Sequence, residues 1–180
     1  MKRNGFTLIE LVVVIVILGI LAVTVAPRFL GIQSDAKIAV LEATEGAMES
    51  AFSLFAAKTE LPSADIVQDG NGRYMIVNDV HIRIDEYDHY PWFSYFALGK
   101  DHVVIEALKA LMNIDVYPLD DNNKGSHHLN IEGDVDGGFF VFPQIDNFYG
   151  QGDIPQCYLK YTPADERHPK SEFALKLTEC

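Results

Sequence analysis

The chain has 180 residues, enough for one ordinary globular domain with an additional segment and too few for two large domains. Its formal net charge is −12, from 26 acidic and 14 basic side chains. This balance argues against a nucleic-acid-binding protein, because such proteins neutralise phosphates with Lys and Arg.

The first predicted element is an apolar helix near the start of the chain. Residues 6–26 are a run of 21 residues in which Glu10 carries the only charge. About 20 mainly apolar residues cross a bilayer core, where a carboxylate needs a partner or a place near the headgroups. Lys2 and Arg3 come before the run, so we expect a cytoplasmic N-terminus and a remainder beyond the membrane. The run exceeds the roughly 7–15 apolar residues of a cleaved secretory signal peptide, so we expect it to be retained.

These first residues resemble a known family. The segment Gly5-Phe6-Thr7-Leu8-Ile9-Glu10 is similar to the class III processing site of type IV pilins. The likeness extends to Gly19 and Pro27, and to the late pair Cys157 and Cys180. Residues 6–36 carry most of it and are most similar to major pilins of mannose-sensitive haemagglutinin pili, whereas the rest of the chain carries almost none.

The resemblance implies processing at the N-terminus. A prepilin peptidase would cut after Gly5, remove residues 1–5, and N-methylate the new terminal residue, Phe6. Glu10 lies one helical turn further on and on the same face, where it would meet the Phe6 amine of its own or a neighbouring subunit. A buried charge is tolerated when it is paired and costly when it is not. The alternative is an interfacial Glu10 with no partner.

Two residues of the apolar run predict a departure from regular helix. Pro27 lacks a backbone donor and Gly19 adds local freedom. One interpretation is a static kink, which membrane helices tolerate. The resemblance favours the other, in which the helix between Gly19 and Pro27 is distorted when it packs into a filament.

The resemblance also implies partners and a location. The chain would be a single-pass inner-membrane protein with a periplasmic head, and would then polymerise with itself into an extracellular filament for adhesion, biofilm formation or motility. A prepilin peptidase, an assembly ATPase and an inner-membrane platform protein would act on it. The alternatives are a type II secretion pseudopilin, a minor pilin and, from a different class, a membrane-anchored ligand-binding module.

We expect residues 6–27 to form the apolar, membrane-spanning half of one long helix. Apolar residues continue beyond it at three- and four-residue steps, so residues 28–58 should form the amphipathic half, which ends before Leu61-Pro62. Residues 59–180 would be a globular head, in which the helix packs on an antiparallel sheet of an α+β fold. The sequence predicts a hairpin over Arg73–Ile84 with Asn78-Asp79 at its tip. It also predicts a helix capped by Asp101 and ending at Met112, whose inward-facing side chains are Val104, Ala107, Leu108 and Leu111. Four further strands are predicted over residues 116–119, 138–143, 157–161 and 173–178, with loops over 120–128 and 146–153.

The state of the two cysteines, Cys157 and Cys180, depends on the compartment. In a cytosolic protein they would remain unpaired thiols, whereas in an exported protein they would form a disulfide. The orientation set by Lys2 and Arg3, together with the resemblance, favours the disulfide. For a loop of this size, the chain-entropy relation gives about 3 kcal/mol of stability.

The sequence gives little indication of chemistry in the head. No phosphate-binding loop, HExxH motif, nucleophile elbow or metal-type Cys spacing occurs, so we predict neither an enzyme nor a cofactor. Two acidic segments resemble parts of a calcium loop, Asp134–Gly137 and Asp120–Asn123. Neither has the spacing to a bidentate Glu that a calcium loop needs. Related pseudopilins do have calcium loops, so a calcium site stays an alternative. We interpret His127-His128 as polar residues of a loop rather than as metal ligands. The aromatic residues between positions 87 and 96 are expected to fill a core or subunit contact, with a carbohydrate or receptor surface as the alternative.

Overall fold

We describe the fold from a computed structural model covering residues 7–93, 100–119, 125–145 and 155–180. Two helices lie within these residues. Helix α1 spans Leu8–Thr59 and helix α2 spans Lys100–Leu111. The chain divides into two units, Met1–Ala36 and Lys37–Cys180, and the second contains both sheets and the hydrophobic core. A long N-terminal helix followed by antiparallel strands is the predicted α+β class, which is confirmed.

Helix α1 contributes a regular apolar stripe to the core of the second unit. Its buried side chains are spaced three or four residues apart, as one face of a helix requires: Leu41, Thr44, Met48, Phe52 and Phe55. The helix ends at Thr59, one residue beyond the predicted end. Pro62 follows, and the residue before a proline is biased away from helical conformation.

The first sheet, sheet A, is a four-stranded antiparallel meander. Its strands are β1 (Ile66–Asp69), β2 (Gly72–Val77), β3 (Val80–Ile84) and β4 (Pro91–Trp92), in that order. The predicted hairpin is the β2–β3 pair. Asn78 and Asp79 at its tip have φ angles of 50° and 65°, the two positive values that a type I′ turn requires.

The second sheet, sheet B, has five strands in chain order. They are β5 (Tyr117–Pro118), β6 (Leu129–Gly133), β7 (Phe139–Pro143), β8 (Cys157–Thr162) and β9 (Glu172–Leu177). The short β5–β6 pair is parallel and the other pairs are antiparallel. Each of the four strands predicted beyond the hairpin corresponds to one of these strands to within a few residues.

The core joins the two sheets and the second part of α1 through a group of aromatic rings. Tyr161 of β8 is fully buried, with its ring centroid 5.1 Å from that of Phe52 and 5.3 Å from that of Phe139. Its hydroxyl donates to the carbonyl of Pro91 (2.7 Å), which ties sheet B to the edge strand of sheet A. A backbone hydrogen bond from Phe93 to the carbonyl of Gly137 (3.0 Å) makes a second tie.

Several local predictions need correction. Asp101 lies inside α2, which begins at Lys100, so it does not precede the helix as a cap. The strands form two sheets, and β1, β4 and β6 were not predicted. Residues 120–124 and 146–153, which belong to the predicted loops, lie outside the described residues.

Candidate functional site at the start of helix α1

Helix α1 begins with reciprocal hydrogen bonds between Thr7 and Glu10. The N–H of Glu10 donates to Thr7 Oγ1 (3.3 Å), and the N–H of Thr7 donates to Glu10 Oε2 (2.9 Å). The Thr7 hydroxyl also donates to Glu10 Oε2, at 2.8 Å. This is a capping box, which satisfies N–H groups that the first turn of a helix leaves without partners. The negative charge lies in the first turn, where the helix dipole favours it.

The capping role of Glu10 was not predicted, although the sequence contains its signature. Thr7 and Glu10 match the S/T-x-x-E pattern directly before an apolar run. Gly5 and Phe6 lie outside the described residues, so the pairing of Glu10 with the Phe6 amine stays a prediction.

The turns after the capping box expose an apolar surface. In the first unit, every side chain from Thr7 to Thr24 is exposed, with Leu8 at 81% and Val23 at 77% of full exposure. An exposed apolar patch of this extent marks an interaction surface. Among the residues described, none of the helices combines the length and apolarity needed to cross a membrane.

Helix α1 is continuous through Gly19 and Pro27. A side chain at position 19 would meet no atom within 4 Å in this single subunit. The predicted distortion concerns the packed filament and stays a prediction.

The C-terminal disulfide is present. Cys157, at the start of β8, is bonded to Cys180, the last residue, and their Cα atoms are 4.9 Å apart. The N–H groups of Thr178 and Glu179 donate to the carbonyl of Gln156, so hydrogen bonds also hold the end of the chain beside β8. The covalent loop therefore encloses strands β8 and β9 and the turn between them.

The first residues of the chain match the model of a known protein family. The family model described as "Prokaryotic N-terminal methylation motif" matches residues 1–26, which include Thr7, Glu10 and most of the apolar run. The start of the chain therefore carries the N-terminal methylation motif that type IV pilins have.

Two similar proteins are a pilus component and a secretion-system protein. The Type IV narrow pilus major component PilA5 of Thermus thermophilus is 41% identical over 68 residues, which are 37% of this chain and 59% of the relative. The Type II secretion system core protein G of Pseudomonas aeruginosa is 41% identical over 54 residues, which are 30% of this chain and 38% of the relative. The matches span less than two thirds of either relative. No solved structure matches the chain.

The aromatic residues between positions 87 and 96 divide into two groups. Phe93 is buried against Phe52 (centroids 6.1 Å apart), and the Tyr90 hydroxyl lies 2.7 Å from Ser53 Oγ on α1. These two side chains confirm the predicted packing role. Tyr87 remains 49% exposed, and Trp92 is half-buried near the surface. Tyr95 and Phe96 lie outside the described residues.

The polar segments of the head have local partners. Asp134 forms an ion pair with Lys160 (2.8 Å), and the His127 ring stacks on Tyr117 with centroids 3.7 Å apart. In the described parts of the chain, no three His, Cys, Asp or Glu side chains are grouped so that they could hold a metal ion. Asp120–Asn123 lie outside those parts, so the absence of a cofactor stays a prediction.

Proposed function

We propose that the chain is the major structural subunit of a type IV pilus. Its precursor is cut after Gly5 and methylated on Phe6, and the mature chains polymerise through α1 into a surface filament. The observation that carries the proposal is the methylation motif over residues 1–26, whose Thr7 and Glu10 start a helix with an apolar, exposed first part.

The proposal includes a membrane stage before assembly. The support is the sequence: residues 6–26 contain one charge in 21 residues, and Lys2 and Arg3 lie on the predicted cytoplasmic side. The head, from residue 59 onward, is then periplasmic. In the filament, the apolar side chains leave lipid for contacts with other copies, and the heads form the outer layer.

Self-association is the principal partnership in this proposal. The prepilin peptidase, the assembly ATPase and the inner-membrane platform protein act on the precursor or on the growing fibre. The filament then serves adhesion, biofilm formation or motility, as the resemblance to pili of the mannose-sensitive haemagglutinin type suggests. The proposal requires no metal or cofactor.

A type II secretion pseudopilin is the second candidate, favoured by the similarity to core protein G. The Cys157–Cys180 disulfide supports the pilin, because major pseudopilins typically lack a C-terminal disulfide loop. A minor pilin has the same motif and would be present in few copies.

Shearing of cells that produce the chain tests the proposal. We expect abundant fibres by electron microscopy, with this chain as their main component by mass spectrometry. Cells producing Gly5→Leu, which blocks the peptidase, are the matched control and should release no fibres. A correctly cut chain that forms no fibres, or fibres in which it is a trace component, would contradict the major-pilin proposal.

A further inference from the structure

The turn between β1 and β2 contains an asparagine that is directly followed by a glycine. Asp69 of β1 pairs with Gly72 of β2, and Gly70-Asn71 connect them as a two-residue turn. The side chain of Asn71 is exposed. The sequence has one other Asn-Gly pair, Asn4-Gly5, which lies in the segment that the proposed processing removes. The pair Asn71-Gly72 is therefore the one that remains in the head.

An Asn-Gly pair contains both groups of a spontaneous reaction, and asparagine is among the thermolabile residues of proteins. The main-chain nitrogen of Gly72 attacks the side-chain carbonyl carbon of Asn71, which closes a succinimide ring. The side-chain nitrogen of Asn71 leaves as ammonia and takes up the proton that the Gly72 nitrogen loses. Water then opens the ring at one of its two carbonyl groups, which yields aspartate or isoaspartate. Glycine favours the attack because it has no Cβ to hinder the approach.

The fold itself requires a glycine at position 72. Its φ angle is 145°, a value that residues with a side chain rarely adopt. A Cβ at this position would also lie 3.0 Å from Nε of Arg83, on the neighbouring strand β3. The hairpin geometry therefore keeps an unhindered main-chain nitrogen directly after Asn71.

The carboxylate of Asp69 holds the nitrogen that would attack. Asp69 Oδ1 accepts the N–H of Asn71 at 2.7 Å and the N–H of Gly72 at 3.1 Å. A hydrogen bond to an ionised acceptor is about twice as strong as one between neutral groups. The Gly72 nitrogen must release this bond and lose its proton before it can attack, and a neighbouring negative charge opposes the loss of a proton. Asp69 therefore restrains the reaction that Gly72 makes possible.

We propose that Asn71 is a site of spontaneous deamidation, and that Asp69 slows the reaction by holding the Gly72 N–H. This modification is independent of filament assembly. Either product adds a negative charge beside Asp69, and isoaspartate also lengthens the main chain by one methylene within a two-residue turn. Strand β1 lies at the edge of sheet A and pairs with β2, so it is the strand whose pairing the longer turn disturbs.

Prolonged incubation of the full-length protein in detergent micelles at mildly alkaline pH tests the proposal. The buffer contains heavy-oxygen water, so that every residue converted during the incubation carries a heavy oxygen atom. Proteolytic peptide mapping by mass spectrometry should show aspartate and isoaspartate at position 71. Asn78 is the internal control, because it is also exposed at a hairpin tip of sheet A but is followed by Asp79. We expect Asn78 to remain unchanged over the same period.

Variants of the turn measure the role of Asp69. Asp69→Ala should deamidate at position 71 faster than wild type by about tenfold, the factor that a typical hydrogen bond to a charged group is worth in a rate. Asp69→Ser keeps a hydroxyl oxygen that can accept the same N–H groups, and its rate should lie between the two. Asp65→Ala is the matched control, because it removes the same charge at an exposed position just before β1, and should leave the rate unchanged.

A synthetic peptide of residues 66–77 gives the rate of the same Asn-Gly pair outside the folded hairpin. We expect the peptide to convert faster than the wild-type protein. If the peptide is converted while neither wild type nor Asp69→Ala changes at position 71, the proposed site is wrong. Equal rates for wild type and Asp69→Ala would overturn the restraining role of Asp69.

Discussion

Asp85 is a buried carboxylate that links the stability of the head to pH. Its side chain is 5% exposed, and burial raises its pKa above the usual value of an aspartic acid. Below about pH 4, near the ordinary aspartate pKa, Asp85 is protonated in both the folded and the unfolded chain, and its contribution to stability is complete. As pH rises through the folded-state pKa, that contribution is lost, because charging the carboxyl group costs more in the folded chain. The hydrogen bonds that Asp85 accepts from Tyr87 and Asp88 only partly offset the cost of charging it.

We therefore expect Asp85→Asn to become more stable relative to wild type as pH rises from about 4 to neutrality. Asparagine keeps a carbonyl oxygen that can accept the same backbone N–H groups. Thermal unfolding of the full-length proteins across this range measures the difference. Asp165→Asn is the control of opposite sign, because backbone N–H groups of His168 and Arg167 lower the pKa of Asp165. Its relative stability should rise as pH falls below about 4, so the measurements on this control extend to lower pH. Parallel curves for wild type and Asp85→Asn would show that Asp85 has no such linkage.

At Gly5 and Phe6, the proposed function predicts a defined covalent change. The mature chain should lack residues 1–5 and carry one additional methyl group on Phe6. Loss of Lys2 and Arg3 changes the side-chain net charge from −12 to −14, since two of the 14 basic residues are removed. Intact-mass measurement on purified filaments checks both changes. A filament subunit that still begins with Met1 would disprove the cleavage site.

At the scale of elements, patterns that are local in sequence predicted most of the fold. The β2–β3 hairpin was predicted because Asn78-Asp79 supplies two residues that tolerate positive φ. The end of α1 was predicted from Pro62, and the core face of α2 from the spacing of Val104, Ala107 and Leu108. In these cases neighbouring residues determine the conformation.

Strand β4 was missed because it has only two residues and exists through its pairing with β3. A two-residue strand shows no periodicity of its own. The guanidinium carbon of Arg83 lies 4.0 Å from the centroid of the Trp92 ring, and this stack needs the close approach of Gly137, far along the chain. The capping box of Thr7 and Glu10 was missed despite a local signature, and so was β1, which the two-residue turn Gly70-Asn71 joins to β2.

Removal of the Cys157–Cys180 disulfide should lower the stability of the head. Cys180→Ser opens a covalent loop with a sequence separation of 23, which the chain-entropy relation values at about 3 kcal/mol. Strand β9 lies at the edge of sheet B and would then be held by its pairing with β8 and by the packing of side chains such as Phe173 on Phe52, without the covalent link. We expect the free energy of unfolding to fall by about this amount, with cleavage after Gly5 unchanged.

Chemical denaturation with and without reductant measures the effect of the disulfide. Wild type in reductant should match Cys180→Ser, and reductant should not change the stability of the double variant Cys157→Ser/Cys180→Ser. Alkylation provides an independent check. If both cysteines of the denatured, unreduced wild type take up reagent, there is no disulfide.

At the scale of the whole molecule, the two units differ in how they satisfy their apolar side chains. The second unit buries Met48, Phe52 and Tyr161 completely in its own core. In the first unit, side chains such as Leu8, Ile17 and Val23 remain more than half exposed. Burying apolar surface contributes about 25 cal/mol per Å², so such a surface gains free energy from lipid or from other copies. The proposed function uses both, one before assembly and one after it.

Variants of Glu10 separate two roles that this carboxylate has in the proposed assembly. Glu10→Val removes both the capping box and the charge, whereas Glu10→Gln keeps a carbonyl oxygen for the Thr7 N–H and removes only the charge. If pairing with the Phe6 amine drives assembly, both variants should be cleaved and should reach normal membrane levels, because a more apolar segment inserts readily. Both should nevertheless yield few fibres, since the buried amine loses its partner.

Thr7→Ser retains the capping pattern and is the matched control, expected to assemble as wild type does. Fibre yield after shearing, normalised to the membrane level of each chain, is the measurement. Wild-type yield from Glu10→Gln would show that capping of the helix suffices, and would refute the charge-pairing role.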